Sequence, residues 1–281
     1  MQFLKFLRLH IDIEEEDQVF KVSTFCLALL ALCHFALDLY LGKQAHLMMS
    51  FLLWSSVALL LWDKRHTFAE NKDKYSFWLG CILITALLTV SMVRPGEKIV
   101  GFFPLLACFG WFLMFVGWAQ RKRYIKEFCM LVVFGIPKLI PDAAFGIAPL
   151  TAKFSAFVLW YMGYPVLLKD NYIQIPQGGV EVVPACSGMN LMTHMVSVSV
   201  LVLCLFPLSK IQATILPLLA ILLGFIVNGL RVSVLAALST PRFTSLFHYW
   251  HSASGASIFV LLALVFYGLI FFVFFKPLQE Y

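Results

Sequence analysis

The stretch IQATILPLLAILLGFIVNGLRVSVLAAL, residues Ile211–Leu238, holds one charged side chain, Arg231, in 28 positions. Coiled as a helix it reaches about 42 Å, more than the roughly 30 Å hydrocarbon core of a bilayer. It reads as a membrane span. Comparable apolar stretches lie at 20–41, 45–62, 76–93, 99–119, 125–141, 187–206 and 251–275, which brings the number of spans to eight. The whole chain agrees: its 281 residues are 61% hydrophobic and 13% charged, with a mean hydropathy of +0.88. A soluble domain carries about 25% charged residues. The expected fold class is an all-α polytopic membrane protein of about eight transmembrane helices, forming a single integral-membrane domain over 1–281.

Several function classes drop out at this level. The net charge of +6 comes from short basic clusters between apolar runs, which is the pattern of topology determinants and not of a nucleic-acid groove. Six of the seven cysteines (Cys26, Cys33, Cys81, Cys108, Cys129 and Cys204) sit inside apolar runs, and no pair has C-x-x-C spacing. Neither a disulfide framework nor a structural metal is expected, and nothing calls for a cofactor. Glu14-Glu15-Glu16-Asp17 precedes the first apolar run, and no small-residue cleavage site follows it, so that run reads as a retained span.

Lysine and arginine set the orientation, because positive loops resist translocation. With the N-terminus in the cytoplasm, thirteen basic residues fall on the cytoplasmic side, among them Lys64, Arg65, Arg121, Lys122, Arg123 and Lys210. Only six (Lys43, Arg94, Lys98, Lys153, Lys169 and Arg242) fall outside. Both termini are expected to be cytoplasmic, in the plasma (inner) membrane.

Between the fifth and sixth spans, residues 142–186 begin and end outside in this topology. Leu150 to Leu168 is apolar and aromatic, and is expected as an extracytoplasmic helix lying in or dipping into the interface. A ninth crossing is the alternative. Asn171 to Val183 alternates at Ile173/Ile175 and Val180/Val182 around Gln177-Gly178-Gly179, a short β-hairpin signal that delivers Cys186 to the outer surface.

Three polar residues converge on that surface. Cys186 opens the sixth span, where the positive end of a helix dipole favours a thiolate, although a cysteine in an apolar chain is also a small hydrophobe. Arg231 lies inside the seventh span near its outer end, an expensive position that marks either a functional site or a snorkelling side chain. Asn228 shares its helical face and is positioned to hold the guanidinium. His251 opens the eighth span, with His248 as its rival. A thiol, an imidazole and a guanidinium are the parts of a thiol acyl-transfer site: nucleophile, proton shuttle and anion stabiliser.

At these residues the chain resembles the exosortase/archaeosortase family of polytopic membrane cysteine transpeptidases. The likeness rests on Ala185-Cys186-Ser187-Gly188, on Asn228 through Arg231, and on His251 with Gly255. Gly163-Tyr164-Pro165-Val166, Ile173-Gln174-Ile175-Pro176 and Val180-Glu181-Val182 extend it. It covers about 125–275 as a catalytic core, while 1–124 matches mainly in hydropathy. The resemblance implies Cys186, Arg231 and His251 as catalytic residues, supported by Asn228, Ser187 and Gly188. The implied substrates are exported proteins with a C-terminal signal: a motif such as Pro-Glu-Pro, a membrane span and a basic cluster. They would be cut at the extracytoplasmic face and passed to a surface acceptor. Glu181 is close enough to touch a substrate, or is a solvated loop residue. Two other classes stay open: a transporter or channel lined by Arg231, Asn190 and His194, and a non-catalytic scaffold of a surface-assembly system.

Overall fold

The computed structural model describes residues 2–42, 44–65, 73–135 and 145–275. The chain divides into two compact units, Met1–Lys138 and Leu139–Tyr281.

The first unit is an up-and-down bundle of α1 (Gln2–Tyr40), α2 (Gln44–Asp63), α3 (Lys74–Val93), α4 (Glu97–Phe115) and α5 (Ile125–Gly135). Hydrogen bonds at its two ends fix the alternation, since buried polar groups in an apolar bundle must find partners. At one end Trp111 Nε1 donates to Ser23 O at 2.7 Å, and Ser76 Oγ donates to Leu113 O at 2.9 Å. At the other, Trp54 Nε1 donates to His34 Nδ1 at 3.1 Å, which leaves the His34 proton on Nε2 to reach Val100 O at 3.0 Å. Ser50 donates to Asp38 beside it at 2.6 Å. Where α2 ends, Lys64 pairs with Glu127 of α5, donates to Arg123 O at 2.7 Å and lies 4.4 Å over the Tyr124 ring.

The second unit holds α6 (Ala148–Tyr161), three short strands, α7 (Met189–Leu205), α8 (Lys210–Leu238), α9 (Thr244–His251) and α10 (Ala253–Phe274). Its centre is α8, against which α6, α7, α9 and α10 all pack. A capping box starts α8: Gln212 N donates to Ser209 Oγ at 3.3 Å, and Ser209 N to Gln212 Oε1 at 3.0 Å. The strands β1 (Leu167–Lys169), β2 (Tyr172–Ile175) and β3 (Gly178–Glu181) form an antiparallel meander in that order. The expected hairpin is present, with an additional strand in front of it. One face of the sheet is apolar: Ile173 and Val182 join Ala152, Ala156 and Leu159 of α6 and Val232 and Ala236 of α8 in a single core.

Among the described residues, five helices are long and apolar enough to cross a membrane: Gln18–Tyr40, Lys74–Val93, Lys98–Phe115, Lys210–Leu238 and Ala253–Phe274. The expected spans at 45–62 and 187–206 are the shorter apolar helices Leu47–Asp63 and Met189–Leu205. Of the expected fifth span, 125–141, helix is described as far as Gly135, and 136–141 lies outside the described residues.

The helix expected at the interface over 150–168 differs in form. It ends at Tyr161, and Leu167–Lys169 belongs to β1. Its inner face is a row of small residues, Ala148, Thr151, Ala152, Ser155 and Ala156, all buried. Small residues three and four apart let two helix backbones approach, and this face packs against α8. Ser155 Oγ donates to Gly229 O at 2.9 Å, and Ser233 Oγ donates to Ser155 O at 3.2 Å. The outward face carries Leu150, Phe157 and Trp160 together with one charge, Lys153, all exposed.

Candidate active site

Cys186 does not sit in the first turn of a helix. It ends a 3-10 turn, Pro184–Cys186, two residues ahead of Gly188, which caps α7. The turn is tied from three sides. Cys186 N donates to Val183 O at 2.8 Å, Asn228 Nδ2 donates to Cys186 O at 3.0 Å, and Thr151 Oγ1 donates to Ser187 O at 2.7 Å. Gly188 adopts φ +92, and a Cβ there would lie 2.7 Å from Asn228 Nδ2. Both the backbone conformation and the space therefore call for glycine. Asn228 consequently has a different task from the one expected: its carboxamide holds the cysteine turn, and no bond from it to the Arg231 guanidinium is formed. Ser187 is buried beneath the turn, whereas Cys186 itself stays half exposed.

Arg231 is one turn further along α8 and lies within electrostatic range of Cys186. Its Nη2 donates to His251 O at 3.5 Å, a long bond. Its Nε is buried with no hydrogen-bond partner. Among the described residues no carboxylate pairs with it, so its charge is not neutralised by an ion pair.

His251 does not open the last span. It is the final residue of the short helix α9, and Ser252 caps α10, accepting from Gly255 N at 3.4 Å. The imidazole, which is exposed, stacks on Phe247 with ring centroids 5.5 Å apart and planes 9° from parallel. His248 meets the same Phe247 ring edge-on, with centroids 5.9 Å apart, and both histidines are exposed; His248 is not among the residues that line the cavity described next.

Cys186 and His251 line one cavity of about 240 Å³. β3 and the residue after it form one wall, Phe247 forms another, and Val232 and Leu235 of α8 lie at its base. Glu181 is part of the strand wall. Asn190, which is exposed, and His194 are not among the lining residues. The profile of the transmembrane exosortase family matches residues 41–268, most of the chain. The chain belongs to that family. No curated protein and no solved structure matches it.

This exosortase is thus a multi-pass membrane protein in which two of the three sequence-predicted polar residues, Cys186 and His251, line one cavity, while Arg231 is not among the lining residues and reaches only the His251 carbonyl. Among its described residues, no group of three His, Cys, Asp or Glu side chains is arranged to hold a metal ion. Sequence reasoning missed Thr151 and Phe247. The helical spacing of small residues from Ala148 to Ala156 was the available signal for the first. Phe247, four residues before His251, carries no signal until the helix between them is known.

Proposed function

We propose that this exosortase is a membrane-embedded cysteine peptidase and transpeptidase that processes C-terminal sorting signals of exported proteins. The supporting observation is the shared cavity of Cys186 and His251, with the buried, unpartnered Nε of Arg231 beside it. Cys186 Sγ attacks the scissile carbonyl carbon while the His251 imidazole takes the thiol proton. The carbonyl electrons move onto oxygen, where the Arg231 guanidinium stabilises the charge; it is always protonated and is no base. As the tetrahedral intermediate collapses, the C–N bond breaks and the imidazolium gives its proton to the leaving amine. The signal's own span departs and a thioester remains. An acceptor nucleophile, or water, then attacks the thioester, giving its proton to His251, and the thiol is restored. The Pro-Glu-Pro-like motif, the surface acceptor and the extracytoplasmic position of the site belong to this reading.

A substrate anchored by one span diffuses in the same bilayer, so it presents its scissile bond at a fixed depth and pays the orientational cost of encounter in advance. The test co-expresses a sorting-signal protein from the same genome with wild type and with Cys186→Ala, and reads intact mass. Loss of the C-terminal span with wild type alone is the expected result, and any added mass identifies the acceptor. Equal processing by both enzymes would sink the proposal.

A further inference from the structure

The strand beside Cys186 is an edge strand, and its free side faces the cavity. The meander runs β1-β2-β3, so β3 pairs on one side only. Which of its backbone groups are free follows from the register. Val182 N donates to Asn171 O at 2.9 Å, so Asn171 and Val182 face each other as a hydrogen-bonded pair. Bonded and non-bonded pairs alternate along an antiparallel ladder. Ile173↔Val180 and Ile175↔Gly178 are therefore bonded pairs, whereas Gln174↔Gly179 and Tyr172↔Glu181 are not. The N–H and C=O of Gly179 and the N–H of Glu181 point away from β2. The Glu181 carbonyl is already used, accepting from Val183 N at 3.1 Å. Three backbone groups remain.

Gly179, Val180, Glu181 and Val182 all line the Cys186 cavity, which is how a strand borders a cavity along its edge. Unprotected edges invite pairing with another chain, and proteins usually blunt them with lysine, proline or a bulge. β3, Gly-Gly-Val-Glu, carries no lysine, proline or bulge, and its one charge is the exposed Glu181 at its end. The opposite edge, β1, ends in Lys169.

We infer that the substrate segment ahead of the membrane span binds in extended form as a fourth strand on β3, bonded to Gly179 and Glu181, and so brings its scissile carbonyl to Cys186. This inference rests on the peptidase reading above. Main-chain pairing supplies affinity largely independent of side chains, and alternate side chains of the added strand then face the cavity. Phe247 and His251, across the cavity, close over the added strand.

The test separates backbone from side chain at Glu181. Glu181→Pro removes the free N–H without touching any bond of the ladder, whereas Glu181→Ala removes only the carboxylate. Processing of the co-expressed substrate is expected to fall at least about tenfold further in the proline variant than in the alanine variant, with maleimide labelling of Cys186 unchanged in both. Equal processing in the two variants overturns strand pairing. As a second measurement, Glu181→Cys is combined with Cys186→Ala, and single cysteines are walked along the substrate ahead of its span. Disulfide trapping at every second position is expected. Trapping at consecutive positions, or at none, overturns the inference. The peptidase reading fails separately, if Cys186→Ala still processes substrate.

Discussion

Arg231 is the residue whose chemistry is hardest to replace. Its Nε is buried and unpartnered, and its Nη2 makes only a long bond to the His251 carbonyl, so the planar guanidinium has donors that no protein group saturates. Lysine would keep the charge but concentrate it on one flexible point. Arg231→Lys is expected to lower kcat by about 100-fold with a smaller change in KM, the size seen when one oxyanion donor is lost. Single-turnover rates on a purified substrate check this. A rate within a few-fold of wild type would mean that the arginine serves orientation in the membrane and not the reaction. Arg231 was legible in the sequence because a lone charge in an apolar span is costly. Asn228 was legible as a member of the site but not in its role. Its partner, the Cys186 carbonyl, is a backbone atom 42 residues away, which no side-chain pattern announces.

At the scale of elements, the α6–α8 contact carries the cysteine turn, since Thr151 reaches Ser187 from α6 and Asn228 reaches Cys186 from α8. Gly229 makes that contact possible: a Cβ on it would collide with the Phe154 ring. Gly229→Ala is expected to destabilise by about 1–3 kcal/mol through overpacking. Ser155→Ala, which removes one interhelical hydrogen bond, is expected to cost about 0.6 kcal/mol. Thermal unfolding in detergent should order them wild type, Ser155→Ala, Gly229→Ala. The reverse order would mean that the hydrogen bond and not close approach holds the helices. Most spans were legible because hydropathy is a property of the segment alone. α6 was read as an interfacial helix because a complete crossing would reverse every later span; its small-residue face, which packs on α8, becomes meaningful only once that partner is known. β1 is three residues long and follows Pro165, too short for any alternation to register.

For the whole molecule, the chain's charge asymmetry makes a topological prediction. The basic cluster Arg121-Lys122-Arg123 lies with the Lys64–Glu127 pair at one end of the first unit, and the hairpin turn at Gln177 lies beyond the core of the second. Positive loops stay in the cytoplasm. A cysteine introduced as Gln177→Cys should therefore react with a membrane-impermeant maleimide in intact cells. Lys122→Cys should react only after permeabilisation. Labelling of both from outside, or the reverse pattern, would invert the orientation and detach the site from exported substrates.

The break between α9 and α10 at Ser252 has a mechanical side. α9 is eight residues long, an arm of about 12 Å whose fulcrum adjoins His251. A rotation about Ser252 of roughly 10° would carry Thr244 about 2 Å while moving the imidazole by a small fraction of that. Leverage and the imidazole thereby sit at opposite ends of one short rod, so a displacement of the far end leaves His251 nearly in place.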